Sequence, residues 1–180
     1  MPTLTRVLQI LPVVVLVWIA IGAGFTFAPQ VGRRDPRGLG IVATLWGMIA
    51  VMQFGTLAPL WIAATGVAGL AASLALFHWA AFSIRGRVFS YAGNDDVPQF
   101  VHTSGPYMYV RNPFYLSYLL TEISTVVIWP SLWGAGFIVL ATLYFQWLAR
   151  FEEAKFARSA VAEEYARYKA RTGRLLPRRR

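Results

Sequence analysis

Cysteine is absent from this 180-residue chain, and histidine occurs only twice. The first absence excludes disulfides, cysteine-ligated clusters and a protein thiol nucleophile. The second argues against a histidine-rich metal site, so no metal is expected. Charge is also scarce, at 14% of residues, whereas 57% are hydrophobic and 15% aromatic. That is too apolar for an ordinary soluble domain, and the length allows a single domain over residues 1–180. The formal net charge of +9 sits mostly after the last apolar run. Its basic residues flank apolar segments instead of forming one basic face. They speak for membrane orientation and anionic lipid headgroups and against nucleic acid.

Five segments approach the roughly 20 apolar residues that a membrane helix needs. They are Val7 to Phe27, Leu39 to Leu57, Leu60 to Ile84, Phe114 to Trp129, and Leu132 to Ala149. Ala58-Pro59 divides the second from the third, and Pro130-Ser131 the fourth from the fifth. Proline lacks an amide hydrogen, so both places read as tight hairpin turns. Neither turn is charged. Arg33, Arg34 and Arg37 follow the first run; Arg85, Arg87 and Arg111 lie between the third and fourth; the tail after the fifth is strongly basic. The positive-inside rule then puts the N-terminus outside and the first loop, third loop and tail in the cytoplasm, with Arg6 alone on the wrong side. A secretory signal at the N-terminus is disfavoured, because the apolar run is too long and the stronger positive flank follows it. The expected fold is an all-α integral membrane bundle of about five spans with a cytoplasmic amphipathic C-terminal helix.

All the polar material therefore gathers on one face. In the tail, Phe151, Ala154, Arg158, Val161, Tyr165 and Tyr168 recur at three- and four-residue steps, which predicts one amphipathic helix lying near lipid headgroups. Glu152 and Glu153 point about 100° apart on such a helix. One can face inward, although the charges alone favour a solvated pair. Upstream, Asn112-Pro113 reads as a helix start, with Asn as cap and Pro in the first turn. Gly105-Pro106 forces a turn whose backbone can approach a ligand, and Tyr107, Tyr109, Tyr115 and Tyr118 crowd the same stretch. Glu122 lies about 15 Å into the fourth run by helical rise, and an ionisable group at that depth is functional by default or else paired. His78, between Phe77 and Trp79, reads as a hydrogen-bonded packing residue.

The stretch "VPQFVHTSGPYMYVRNPFYL", then "FEEAKF" after one helical hairpin, then "EEYARYKARTGRLLPR", resembles the isoprenylcysteine carboxyl methyltransferase and phospholipid methyltransferase superfamily. The shared pattern is Arg-His/Asn-Pro-x-Tyr, a hairpin and Glu-Glu, here Arg111, Asn112, Pro113, Tyr115, Glu152 and Glu153. Gly105 and Tyr107 match a Gly-x-Tyr turn, and Tyr165, Tyr168 and Pro177 match the tail. The resemblance covers about Pro98 to Pro177. Met108, Ser117 and Asn112 depart from common choices, the last being typical of bacterial relatives, so a prenylcysteine acceptor does not carry over.

The resemblance implies an S-adenosylmethionine-dependent enzyme of a bacterial inner membrane. Its cofactor residues would be His102, Gly105, Tyr107, Arg111, Asn112, Pro113, Tyr115, Glu152 and Glu153, with Arg111, Glu152 and Glu153 closest to catalysis. Residues 98–177 would then be the cofactor region, and residues 1–97 the side that meets a lipophilic or membrane-permeant acceptor. The nucleophile (carboxylate, thiol or amine) and the oligomeric state stay open. Two rivals remain at this level: a nicotinamide-dependent reductase of sterol-reductase-like architecture, and a small membrane protein without catalysis.

Overall fold

Proline and apolar length determine where this chain turns and where it runs straight. In the computed structural model, which describes residues 2–27, 36–85 and 97–178, the described residues form six α-helices. These are α1 (Pro2–Phe27), α2 (Pro36–Met52), α3 (Leu60–Ser83), α4 (Pro113–Ile128), α5 (Leu132–Phe156) and α6 (Ala162–Arg171). All five apolar runs emerge as helices. Three are long and apolar enough to cross a membrane: Thr3–Ala23, Leu60–Ser83 and Leu132–Phe156. Gly40–Ala50 and Pro113–Ile128 are shorter apolar helices. Arg33, Arg34, Arg87, Arg179 and Arg180, which carry part of the charge pattern, lie outside the described residues.

α1 and α2 begin a few residues earlier than expected, at Pro2 and Pro36, and two further boundaries differ for a visible reason. α2 stops at Met52 instead of Leu57, because the chain turns at Gln53-Phe54 and the Gly55 amide bonds the Met52 carbonyl at 3.0 Å. A Cβ on Gly55 would press on the Trp129 backbone at 2.6 Å, a contact no local pattern announces. α5, conversely, continues past Ala149 through Glu152-Glu153 to Phe156. A non-helical segment then separates it from α6, so the tail is two helices and not one. The stacking of Phe156 on Tyr165, with ring centroids 4.1 Å apart, folds α6 back onto the end of α5. The apolar face of α6, Tyr165 and Tyr168, is buried against Val101, Phe156 and Val161, that is, on protein.

The two uncharged turns meet at one end of the bundle. The Ala58 amide donates to the Ile128 carbonyl at 3.0 Å, and the Trp129 indole reaches the Leu8 carbonyl at 3.2 Å. The start of α1 is therefore at that end too. The polar segments 97–112, the end of α5 and α6 occupy the other.

α3 and α4 approach most closely where α3 is small. Gly66 and Gly69 face Ser124 and Ile128, and the Ser73 hydroxyl donates to the Ser117 carbonyl at 2.7 Å. Without water to drive association, such close packing and interhelical hydrogen bonding hold membrane helices together. α2 rests on α5 in the same way, with Gly40 under Tyr144 and Gly47 under Phe137. Toward the polar end, Phe77, Phe114, Tyr118 and Phe145 fill the centre; Phe77 meets Phe114 edge-on at 5.4 Å. The exposed apolar side chains, among them Trp18, Trp61, Leu132, Trp133 and Leu140, point outward. In a bilayer that exterior contacts lipid.

His78 is a packing residue: its Nδ1 lies 2.8 Å from the Leu74 carbonyl, and the Trp18 indole donates to Nε2 at 3.3 Å. Both ring nitrogens therefore have partners within the bundle.

A Cβ at Gly66 would sit 2.8 Å from the Ser124 carbonyl oxygen. Gly66→Leu should therefore pry α3 from α4 and destabilise the protein by about 1–3 kcal/mol, the usual penalty for overpacking. Thermal unfolding in detergent reads this. Gly136→Leu is the control, since nothing lies within 4 Å of a Cβ there. Equal melting temperatures for the two variants would contradict the packing described.

Candidate functional site

The predicted site residues converge at the polar end, from four parts of the chain. The turn Gly105–Met108 is a short 3-10 helix begun by Gly105 at φ +62°. That left-handed backbone suits glycine. A Cβ there would strike the Ser83 side chain and come within 3.3 Å of the Trp79 indole. Gly105 thus lets the turn press against α3; its α-carbon faces protein, not an open ligand space.

Arg111, Asn112 and Pro113 follow. The Arg111 amide bonds the Gly173 carbonyl at 2.9 Å, and the Asn112 amide bonds the Arg174 carbonyl at 3.1 Å. Val110 and Gly173 form an isolated parallel bridge. Asn112 stands at the cap position of α4, but its side chain does not cap the helix. Its Nδ2 instead donates to the Arg174 carbonyl at 3.1 Å. This polar triplet clamps the segment that follows α6, while Pro113 opens α4.

The Glu-Glu pair is divided between two tasks, with Glu153 buried and Glu152 half-buried. Glu153 lies among three cations. Arg111 donates from Nε to Oε1 at 3.0 Å, Arg174 engages both carboxylate oxygens at 2.9 Å, and Lys169 approaches Oε2 at 3.5 Å. The Glu153 side chain is 7% exposed and that of Arg111 8%. Arg111 also donates to the carbonyls of Lys169 and Thr172, and Arg174 to Gln146 Oε1 at 3.1 Å. Arg111 and Glu153 are thus saturated by each other and by the tail.

Glu152 turns the other way, accepting a hydrogen bond from the Tyr115 hydroxyl at 2.7 Å. Lys155 is near enough to act on it electrostatically, and its ammonium lies 5.3 Å from the centre of the Phe151 ring. Tyr115 stacks on Phe145 at 5.3 Å and touches Tyr118. Close by, buried Tyr107 meets the His102 ring edge-on at 4.8 Å. His102 Nε2 lies 3.2 Å from the Ser104 hydroxyl. The Tyr168 hydroxyl donates to the Tyr107 carbonyl at 2.8 Å, tying α6 to the turn. Burial pushes the phenols of Tyr107, Tyr165 and Tyr168 above their usual pKa, so all three are neutral at physiological pH.

Chemically, the polar end sets one partly buried carboxyl, Glu152, beside the rings of Tyr115 and Tyr107 and next to a sealed ion cluster. That donor set fits a ligand bearing both a cation or hydroxyls and a flat ring. The structure brings together Tyr107, Arg111, Asn112, Pro113, Tyr115, Glu152 and Glu153, with His102 and Gly105 at their flank. Sequence reasoning missed Arg174, Lys155 and Gln146. Gln146 was the one amide within the fifth apolar run, and Arg174 stood inside the tail motif. Gln146 was available as an exception to its apolar surroundings, whereas Arg174 did not stand out in a basic tail. Among the described residues no group of three or more His, Asp or Glu side chains could hold a metal.

The sequence pattern of the phospholipid methyltransferase family matches residues 61–164. It begins upstream of the stretch that carried the resemblance and ends before Tyr165. It includes the turn, the Arg-Asn-Pro-x-Tyr segment and the Glu-Glu pair. No curated protein and no solved structure matches the chain.

Proposed function

Because the chain belongs to the phospholipid methyltransferase family, and so is a multi-pass membrane enzyme that uses S-adenosylmethionine, we propose that the polar end of its bundle is the cofactor mouth. The family match sets aside the reductase and the non-catalytic alternatives. Its members methylate lipid acceptors.

In this reading all five apolar helices span the bilayer, the N-terminus is outside, and the mouth faces the cytoplasm. The basic residues of the tail then lie near anionic headgroups. Residues 98–177 supply the cofactor side of a single domain, and residues 1–97 contribute to the acceptor side.

The observation that carries the assignment is the hydrogen bond from Tyr115 to Glu152. With Glu153 neutralised by Arg111, Arg174 and Lys169, Glu152 is the carboxylate left to receive a ligand's ammonium or ribose hydroxyls. Tyr115 orients it. Tyr107 and His102 wall the mouth. Gly105, Asn112, Pro113, Arg111 and Glu153 are positioning residues that hold the turn, the start of α4 and the tail in register.

When bound, the cofactor supplies an activated sulfonium methyl. Transfer is an in-line displacement, so the protein contributes alignment and the exclusion of water. A carboxylate or thiolate acceptor needs no base. An amine acceptor would arrive neutral and lose its proton during or after transfer. The acceptor reaches the mouth from the bilayer, and the cofactor from water.

Calorimetry of S-adenosylmethionine and S-adenosylhomocysteine against the detergent-purified protein tests the assignment. Saturable binding of both is expected. A folded sample that binds neither compound sinks it.

A further inference from the structure

Glu122 is an acid that neither the fold nor the mouth uses. It has no exposed surface, and neither carboxyl oxygen finds a hydrogen-bond partner among the described residues. Thr44 on α2 is the polar side chain facing it, but that hydroxyl donates to the Ile41 carbonyl at 2.8 Å. The neighbouring hydroxyls of α4 also turn back on their own helix: Thr121 to Ser117, Ser124 to Leu120 and Thr125 to Thr121. Serine and threonine can satisfy themselves in this way, whereas a carboxyl group cannot donate and accept along its own helix so cheaply. A carboxyl shut from water without a donor is among the costliest groups to place in a membrane interior.

Its position gives the cost a purpose. Tyr115, Tyr118 and Glu122 recur at steps of three and four, which puts them along one face of α4. Tyr115 holds Glu152 at the mouth, and Tyr118 packs against Tyr115 and Phe145 just below. Seven residues of helical rise place Glu122 about 10 Å deeper than Tyr115. The order along the face is thus reactive mouth, aromatic spacer, unsatisfied carboxyl. α2, which carries Thr44 over the carboxyl, rests on α5 through Gly40 and Gly47.

We infer that Glu122 is the recognition point for the body of the methyl acceptor, taking a hydrogen bond from an O–H or N–H that the acceptor carries about 10 Å from its methylated atom. The acceptor enters from the bilayer along the seam between α2 and α4, and its donor satisfies the carboxyl. This rests on the mouth being the cofactor site. It makes the acceptor a polar-substituted lipophile, distinguished from a plain hydrocarbon chain at a site remote from the chemistry.

A hydrophobic carbodiimide, dicyclohexylcarbodiimide, tests it in lipid nanodiscs without knowledge of the natural acceptor. The reagent converts a carboxyl reachable from lipid into an N-acylurea, which peptide mass spectrometry locates. Labelling of Glu122 is expected, and Glu122→Gln should remove it from that peptide. A stearate methyl ester hydroxylated at mid-chain should slow labelling roughly tenfold, about the effect of one good hydrogen bond, and methyl stearate should not. S-adenosylmethionine affinity of Glu122→Gln should equal that of the parent. Absence of labelling in protein that still binds S-adenosylmethionine would mean that the carboxyl is sealed and would overturn the inference. So would labelling that the two esters slow equally, or that neither slows. Failure of the parent protein to bind S-adenosylmethionine would instead strike the cofactor assignment, while the labelling pattern would still score Glu122.

Discussion

Glu153→Ala is expected to unfasten the polar end of the protein while leaving the bundle inserted. The substitution removes the common partner of Arg111 and Arg174 and strands two guanidinium groups, one of them only 8% exposed. Breaking a buried pair from one side typically costs about 3–5 kcal/mol, because the remaining charge keeps its desolvation penalty without compensation. The Lys169 contact adds little, since that side chain is 52% exposed and solvent screens it. For a chain of this size the loss corresponds to a fall in melting temperature on the order of 10 °C. Limited trypsinolysis should then cut within the segment from Ala157 onward far faster than in the parent. Glu153→Gln should fall between the two. A melting temperature and cleavage rate unchanged in Glu153→Ala would show that the cluster holds nothing together.

Glu152→Gln should do the opposite, preserving the fold and weakening the cofactor. Glutamine keeps the shape and can still accept from Tyr115, but it cannot pair with an ammonium or strongly polarise ribose hydroxyls. Hydrogen bonds to a charged group are worth about 1.5–3 kcal/mol, so S-adenosylmethionine affinity should fall roughly 10- to 100-fold. Tyr115→Phe removes only the orienting hydroxyl and should cost about tenfold or less. Calorimetry beside thermal unfolding separates the two glutamates. An affinity loss confined to Glu153→Gln, at unchanged stability, would move the cofactor contact to Glu153.

These two glutamates also show how far local pattern reaches. Their helical offset predicts that they diverge, and they do. Which way each turns depends on Arg174 and Tyr115, residues 21 and 37 positions away, so no periodicity could assign it. Likewise, Pro59 correctly marks the start of α3 because a missing amide acts locally. The end of α2 is decided by Gly55 meeting Trp129, which exists only once both turns are assembled. The tail pattern from Phe151 to Tyr168 is continuous in sequence, but burying both Tyr165 and Phe156 demands a fold-back. Asn112 was legible as a helix start and not as a clamp on Arg174. The motif residues could be found by their order; their partners required the third dimension.

The bridge between Val110 and Gly173 bears on the order of assembly. The α4–α5 hairpin joins segments that are near neighbours in the chain, and it can form while later residues are still unplaced. The clamp cannot. Asn112 Nδ2 meets the Arg174 carbonyl across 62 positions, so its loop closes only after α4, α5 and α6 have taken their places. Loop closure across such separations slows folding more than it weakens the final state. The clamp therefore waits for Arg174, which follows all six helices in the chain. Until Arg174 is in place, Glu153 has Arg111 and Lys169 as partners but lacks its two-oxygen pairing, and the Asn112 side chain lacks the carbonyl it holds.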